Sequence, residues 1–104
     1  MLAKKTVIRI ISAYLEECKR QGIALKKAYL FGSYAKGTFG KYSDIDIALV
    51  SDNFSKNPIK NWRMMSSVDI KFSRIESHPF TIADFKKGNP YFDEIKKTGI
   101  DIKL

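Results

Sequence analysis

Cysteine occurs once in this chain, at Cys18, and histidine once, at His78. A lone thiol excludes an internal disulfide and a cysteine-built metal cluster, and it suits a reducing compartment. No run approaches the roughly 18 apolar residues that a membrane span needs, and no basic-then-apolar leader is visible, so the expectation is a soluble, cytoplasmic protein with no membrane partner. Acidic residues are scarce: 11 against 19 basic ones, for a net charge of +8. That surplus could attract nucleotides, nucleic acid or an acidic protein. The lysines nevertheless come as scattered pairs (Lys4-Lys5, Lys26-Lys27, Lys86-Lys87, Lys96-Lys97), the pattern of a solvated surface, which argues against a specific nucleic-acid role. No linker divides the 104 residues, so one domain, 1–104, is expected, with a modest core.

What is present is concentrated in residues 30–50. Ala28, Tyr29, Leu30 and Phe31 read as a strand that stops at Gly32-Ser33, where a glycine lets backbone approach a ligand closely. Ser33 is expected to cap a short helix from about Tyr34, turning its hydroxyl and the free backbone N–H groups toward an anion, with Lys36 and Lys41 adding positive charge. Ten residues after Ser33 comes Asp44-Ile45-Asp46, opening an apolar strand to Val50. Strand alternation puts Asp44 and Asp46 on one side and Ile45, Ile47 and Leu49 on the core side. Two carboxylates so close repel each other unless a cation lies between them, and hard oxygen donors favour magnesium or manganese. Ser43 is placed to steady the turn ahead of the first carboxylate. Phe39 and Tyr42 could stack on a base, although aromatics beside a turn more often pack on the domain.

Gly32-Ser33, ten residues, then Asp44-Ile45-Asp46 resembles the signature of the DNA polymerase β-like nucleotidyltransferases. The Gly-Ser-Tyr-Ala-Lys-Gly form and the closing stretch from Asn89 to Ile100 look most like the minimal nucleotidyltransferases, the antitoxin-type partners of HEPN-domain proteins. The resemblance implies an α/β (α+β) fold, a mixed sheet flanked by helices. It also implies two magnesium ions, with manganese as the alternative, and transfer of a nucleoside monophosphate from ATP or another nucleoside triphosphate. Asp44 and Asp46 would hold the metals, and Gly32, Ser33, Lys36 and Ser43 would lie along the nucleotide. A third carboxylate is expected from the family pattern. Asp69 and Glu76 compete for it; the Arg74-Ile75-Glu76 segment resembles the family's strand end more closely and favours Glu76, but strand parity leaves the choice open because a bulge would reverse it.

Around this centre the order is simple. Val7, Ile11, Tyr14 and Cys18 have helical spacing in residues 4–21, with Gly22 as the stop and Cys18 a buried hydrophobe. A helix is expected from about Ile59 to Ser67 with Trp62 and Met65 inward, then a third strand over 68–76. His78, before a proline, is assigned to a loop and to no metal. Thr81–Phe85 begins a helical turn ending near Lys86-Lys87-Gly88. Asn89 and Pro90 start a helix that Gly99 closes, and Ile100, Ile102 and Leu104 suggest a last strand with Asp101 facing solvent.

No further domain is expected to choose an acceptor, so the acceptor would bring its own recognition. The resemblance suggests a HEPN-type partner carrying AMP on a tyrosine or similar hydroxyl. Two other readings stand beside it: a non-catalytic antitoxin that neutralises a partner by association, and nucleotide addition to an RNA end. Self-association is left open by the edge-like final strand.

Overall fold

The first helix, α1 (Lys4–Arg20), buries Val7, Ile11, Tyr14, Glu17 and Cys18, the stripe expected from their spacing. It ends on Gly22 at φ +84°, where Ile23 N–H donates to the Cys18 carbonyl and Gly22 N–H to that of Lys19, closing the last turn with a left-handed residue. A computed structural model describes residues 4–40, 43–86 and 88–104. Lys41 and Tyr42, the expected extra charge and base-stacking aromatic, lie outside the described residues, as does Lys87.

After α1 the order is β1 (Leu25–Phe31), α2 (Ser33–Lys36), β2 (Ile45–Ser51), α3 (Pro58–Asp69), β3 (Ile75–Phe80), α4 (Ile82–Lys86), α5 (Pro90–Thr98) and β4 (Ile100–Asp101). The strands form one sheet in the order β3-β2-β1-β4. β2 runs antiparallel to β1 and parallel to β3, and β4 pairs antiparallel with β1, so the sheet is mixed, as expected. Its central strand is covered on both faces and reads accordingly as a nearly unbroken apolar run. Ile45, Ile47 and Leu49 pack with α1 and α3, while Ala48 and Val50 pack with Phe80 and with Phe92 and Ile95 of α5.

The segment after β2 departs from expectation. Residues 68 and 69 finish α3, 70–74 form a turn, and the third strand starts at Ile75, so the strand expected over 68–76 is displaced and His78, assigned to a loop, lies within it. The apolar alternation Val68-Ile70-Phe72 is outweighed by a helical set, Asn61, Met65 and Val68, all buried from one face of α3. That set also turns Trp62 outward, leaving it 68% exposed rather than in the core, and Ile70 is exposed beyond the helix end. Buried Asn61 is satisfied by the Ser55 backbone, accepting from its N–H at 2.9 Å and donating to its carbonyl at 2.7 Å. Pro79, which cannot donate to a ladder, is tolerated because β3 is an edge strand.

Asn89 caps α5, accepting from Tyr91 and Phe92 N–H with Pro90 at the first helical position. Gly99 is needed for space: a Cβ would stand 2.6 Å from the Ile95 carbonyl oxygen and 2.9 Å from that of Leu30. The chain then pairs with β1 over only Ile100 and Asp101, where Asp101 is held by Lys27 Nζ at 2.7 Å. On α1, Glu17 accepts from Gln21 at 2.6 Å, from Lys71 at 3.1 Å and from Arg20. The Gln21 hydrogen bond, then that of Lys71, holds its carboxyl down from 4.5 to about 2. Burial, with the nearby Asp69 charge second, pushes the Cys18 thiol up to about 12, which fits a packing role. Among the described residues no helix is long and apolar enough to cross a membrane.

Candidate active site

Antiparallel β1 ends where β2 begins, Phe31 opposite Asp46, and parallel β3 begins at the same end of the sheet, Glu76 opposite Asp46. Gly32 makes the turn out of β1 at φ +72°, and a Cβ there would run into the Asp46 carboxylate. The position therefore demands glycine twice over, by backbone conformation and by space. The single-turn helix α2 follows. Gly32, and not Ser33, occupies the cap position, Ser33 being the first helical residue, and no side chain caps the helix. The expected Ser33 cap is thus corrected: the chain turns too sharply at Gly32 for the following residue to take the flanking conformation a cap needs. Lys36, in the last turn, is exposed. Phe39 stacks face to face on Tyr34 with centroids 4.5 Å apart, so it packs on the domain.

Ser43 Oγ accepts from Gly40 N–H at 2.8 Å and its carbonyl accepts from Arg74 at 3.3 Å, the turn-steadying role anticipated for it. Asp44 precedes the ladder and is exposed. Asp46 is in the strand, with a side chain 22% exposed. Among the described residues, Asp46, Glu76 and His78 bring three metal-capable atoms within 4.8 Å of one another. His78 Nε2 stands 3.2 Å from Asp46 Oδ1 and 3.9 Å from Glu76 Oε1. Asp44 is not a member of this group.

Of the two competing third acids, the parallel register brings Glu76 to Asp46. Asp69 instead ends α3 and accepts from Tyr14 Oη and Ser77 Oγ, each at 2.9 Å. Burial, and next the Asp69 charge, raises the Tyr14 hydroxyl far above the ordinary tyrosine range.

Sequence reasoning missed His78 and its aromatic surround. Its ring lies edge-on to Phe31 at 4.8 Å and to Tyr91 at 6.5 Å between centroids. The Tyr91 hydroxyl is shifted upward by burial first and then by the Asp46 and Glu76 charges, which marks it as a neighbour of both. The available signal was the two-residue spacing of Glu76 and His78, which share a face once the strand is placed correctly. The two carboxylates fit one divalent cation of the magnesium or manganese type, and the imidazole stands beside them. An anionic ligand bound beside that cation would meet the start of α2, on a molecule of net charge +8.

Residues 11–99, from the middle of α1 to the glycine after α5, match the family model of the nucleotidyltransferase domain, and the chain belongs to that family of enzymes. The matched region contains every residue of the site just described. Over 70 residues, 66% of this chain, it is 33% identical to a Methanocaldococcus jannaschii protein provisionally described as a protein adenylyltransferase. It spans about half, 48%, of that relative's length. A Sulfolobus solfataricus protein, provisionally described as a nucleotidyltransferase, has the same fold at TM-score 0.71 and 21% identity, over 92% of this chain and 78% of that one. A toxin-antitoxin structure with AMP-PNP matches at 0.58 and 22% identity, over 86% and 69%. A variant of the toxin-antitoxin pair MntA-HpeT matches at 0.54 and 18%, over 96% and 72%.

Proposed function

We propose that this chain is a protein adenylyltransferase domain that moves AMP from ATP to a hydroxyl on a partner protein, acting in the cytoplasm as the antitoxin of a toxin-antitoxin pair whose toxin is HEPN-like. The observation that carries the reading is the meeting of Asp46, from the strand after the glycine-serine turn, with Glu76 from its parallel neighbour. The relative described as a protein adenylyltransferase and the toxin-antitoxin neighbours support the choice of acceptor class and partner.

Asp46 and Glu76 would hold a magnesium or manganese ion, and a second ion would require Asp44, exposed at the strand's start. Bound there, the metal supplies neutralisation of triphosphate charge and a lowered pKa for the acceptor hydroxyl. The protein's own part is positioning. Gly32 lets the Asp46 carboxylate lie against the turn, Ser33 would offer the phosphates a hydroxyl that no cap occupies, and Lys36 would add charge beside it. Ser43 supports the turn that carries Asp44 to the nucleotide. The acceptor oxygen attacks the α-phosphorus, the bond to the β-phosphate oxygen breaks, and pyrophosphate leaves. Glu76, at 57% exposure far more open than Asp46, would take the hydroxyl proton at its carboxylate.

A second reading, a non-catalytic antitoxin, has one observation in its favour: Asp44 stands apart from the converging donors. The two separate on α-labelled ATP with magnesium or manganese and the proteins of a source-cell lysate. Label on one protein band, lost in an Asp44→Asn, Asp46→Asn double variant, is the expected result. No acid-dependent label, together with no metal-dependent ATP binding, would move the conclusion to the binding module, and label on RNA would move it to RNA-end addition.

A further inference from the structure

His78 has no part in the chemistry above, yet its placement is that of a ligand. Strand alternation puts it on the face of Glu76, and the ladder sets it opposite Ala48, which offers only a methyl group on that face. The ring leans along β2 far enough for Nε2 to come within 3.2 Å of Asp46 Oδ1. It is held there by the edge of Phe31, and the side chain is only 23% exposed. Pro79 follows at once and narrows the backbone's freedom. Around an octahedral ion with bonds of about 2.1 Å, neighbouring donors stand about 3 Å apart and opposite ones about 4.2 Å. The observed 3.2 Å separation is near the neighbouring value and 3.9 Å near the opposite one, with all three donor atoms within 4.8 Å of one another.

We infer that His78 is a third protein donor to the cation held by Asp46 and Glu76, and that this nitrogen makes the site select Mn2+ over Mg2+. The inference rests on the metal-site reading above. An imidazole nitrogen adds little for hard Mg2+, whereas Mn2+ accepts nitrogen beside carboxylate oxygens, so one substitution of donor type biases the choice of ion.

The single histidine makes the test unusually direct, since [15N]histidine labels His78 alone. Mn2+ binding is followed by loss of the free-ion EPR signal, Mg2+ binding by competition against bound Mn2+, and the bound ion by pulsed EPR. The expected result is a 14N coupling in the unlabelled protein that is replaced by a 15N coupling on labelling. His78→Ala removes it and weakens Mn2+ by about tenfold or more while moving Mg2+ by about twofold at most. Mn2+ bound without nitrogen coupling, or equal weakening of both ions in His78→Ala and in the isosteric His78→Gln, would overturn the inference and leave His78 a hydrogen-bond partner of Asp46. The labelling measurement uses the wild-type chain, so a misfolded variant cannot decide it. If the wild type binds neither ion, or Asp46→Asn binds Mn2+ unchanged, the metal-site reading itself fails.

Discussion

Two carboxylate clusters flank the start of β3, and they differ in how well their charge is met. Asp69 receives two hydroxyl hydrogen bonds, from Tyr14 and Ser77, and joins α1, α3 and β3 through them. Asp46 and Glu76 face each other across the parallel ladder with one imidazole near both. A carboxylate supplied with hydroxyl donors ties helices to a sheet, whereas two carboxylates that share one imidazole among the described residues form a set that a cation could bridge. On the proposed function the difference separates an acid that serves the fold from acids that would serve chemistry, although the two competing positions are seven residues apart and both carry a carboxylate.

Exchanging charge for amide at one acid of each cluster is the sharpest way to break this comparison. Glu76→Gln is expected to lower AMP transfer on the order of 10²–10³-fold with its thermal midpoint nearly unchanged, because it removes charge used in the transition state. Asp69→Asn is expected to do the reverse, costing about 1–2 kcal/mol in urea unfolding by weakening two charge-assisted hydrogen bonds, with transfer within about threefold. Reversed outcomes would exchange the roles of the two acids.

A smaller effect is expected at the junction of β1 with the site. Gly32→Ala must adopt a positive φ, costing about 1–2 kcal/mol, and must also push Asp46 aside. It should lower both Mn2+ affinity and transfer by about tenfold, in parallel. Loss of stability alone, with ion binding intact, would show that the turn does not set Asp46.

The smallest effect belongs to a fourth carboxylate, Glu17, whose hydrogen bonds from Gln21, Lys71 and Arg20 make it resemble Asp69. Its folded-state carboxyl lies at about 2 against an ordinary 4.5, so the unfolded chain binds the proton more readily. Its stabilisation is therefore complete above about pH 4.5 and fades as pH falls toward about 2. Urea midpoints across that window should decline in the wild type and decline less steeply in Glu17→Gln.

The parts of this molecule that depend on near neighbours were readable from residues alone. The α1 stripe and its Gly22 stop, the Asn89-Pro90 start of α5, the Gly32-Ser33 turn and the apolar run of β2 each follow from spacing within a few positions. The end of α3 was misread because Val68, Ile70 and Phe72 alternate like a strand; burial of Val68 beside Met65 decided for helix. The outward turn of Trp62 has a different cause, since only the packed face, Asn61, Met65 and Val68, shows which side of a short helix is covered.

The site divides along the same line. Gly32, Ser33, Asp44 and Asp46 lie within one local motif, so their chemistry could be proposed from the chain. That Glu76 and not Asp69 reaches Asp46, that Asp44 stands apart, and that His78 turns its nitrogen toward both acids depend on the register of β2 against β3. Parallel pairing joins segments 30 residues apart in the chain, Asp46 to Glu76, and a shift of one residue would reverse every side chain on the strand. Local spacing carries no information about that register, which is set by packing of Ile45 and Ile75 into one core and Val50 and Phe80 into the other.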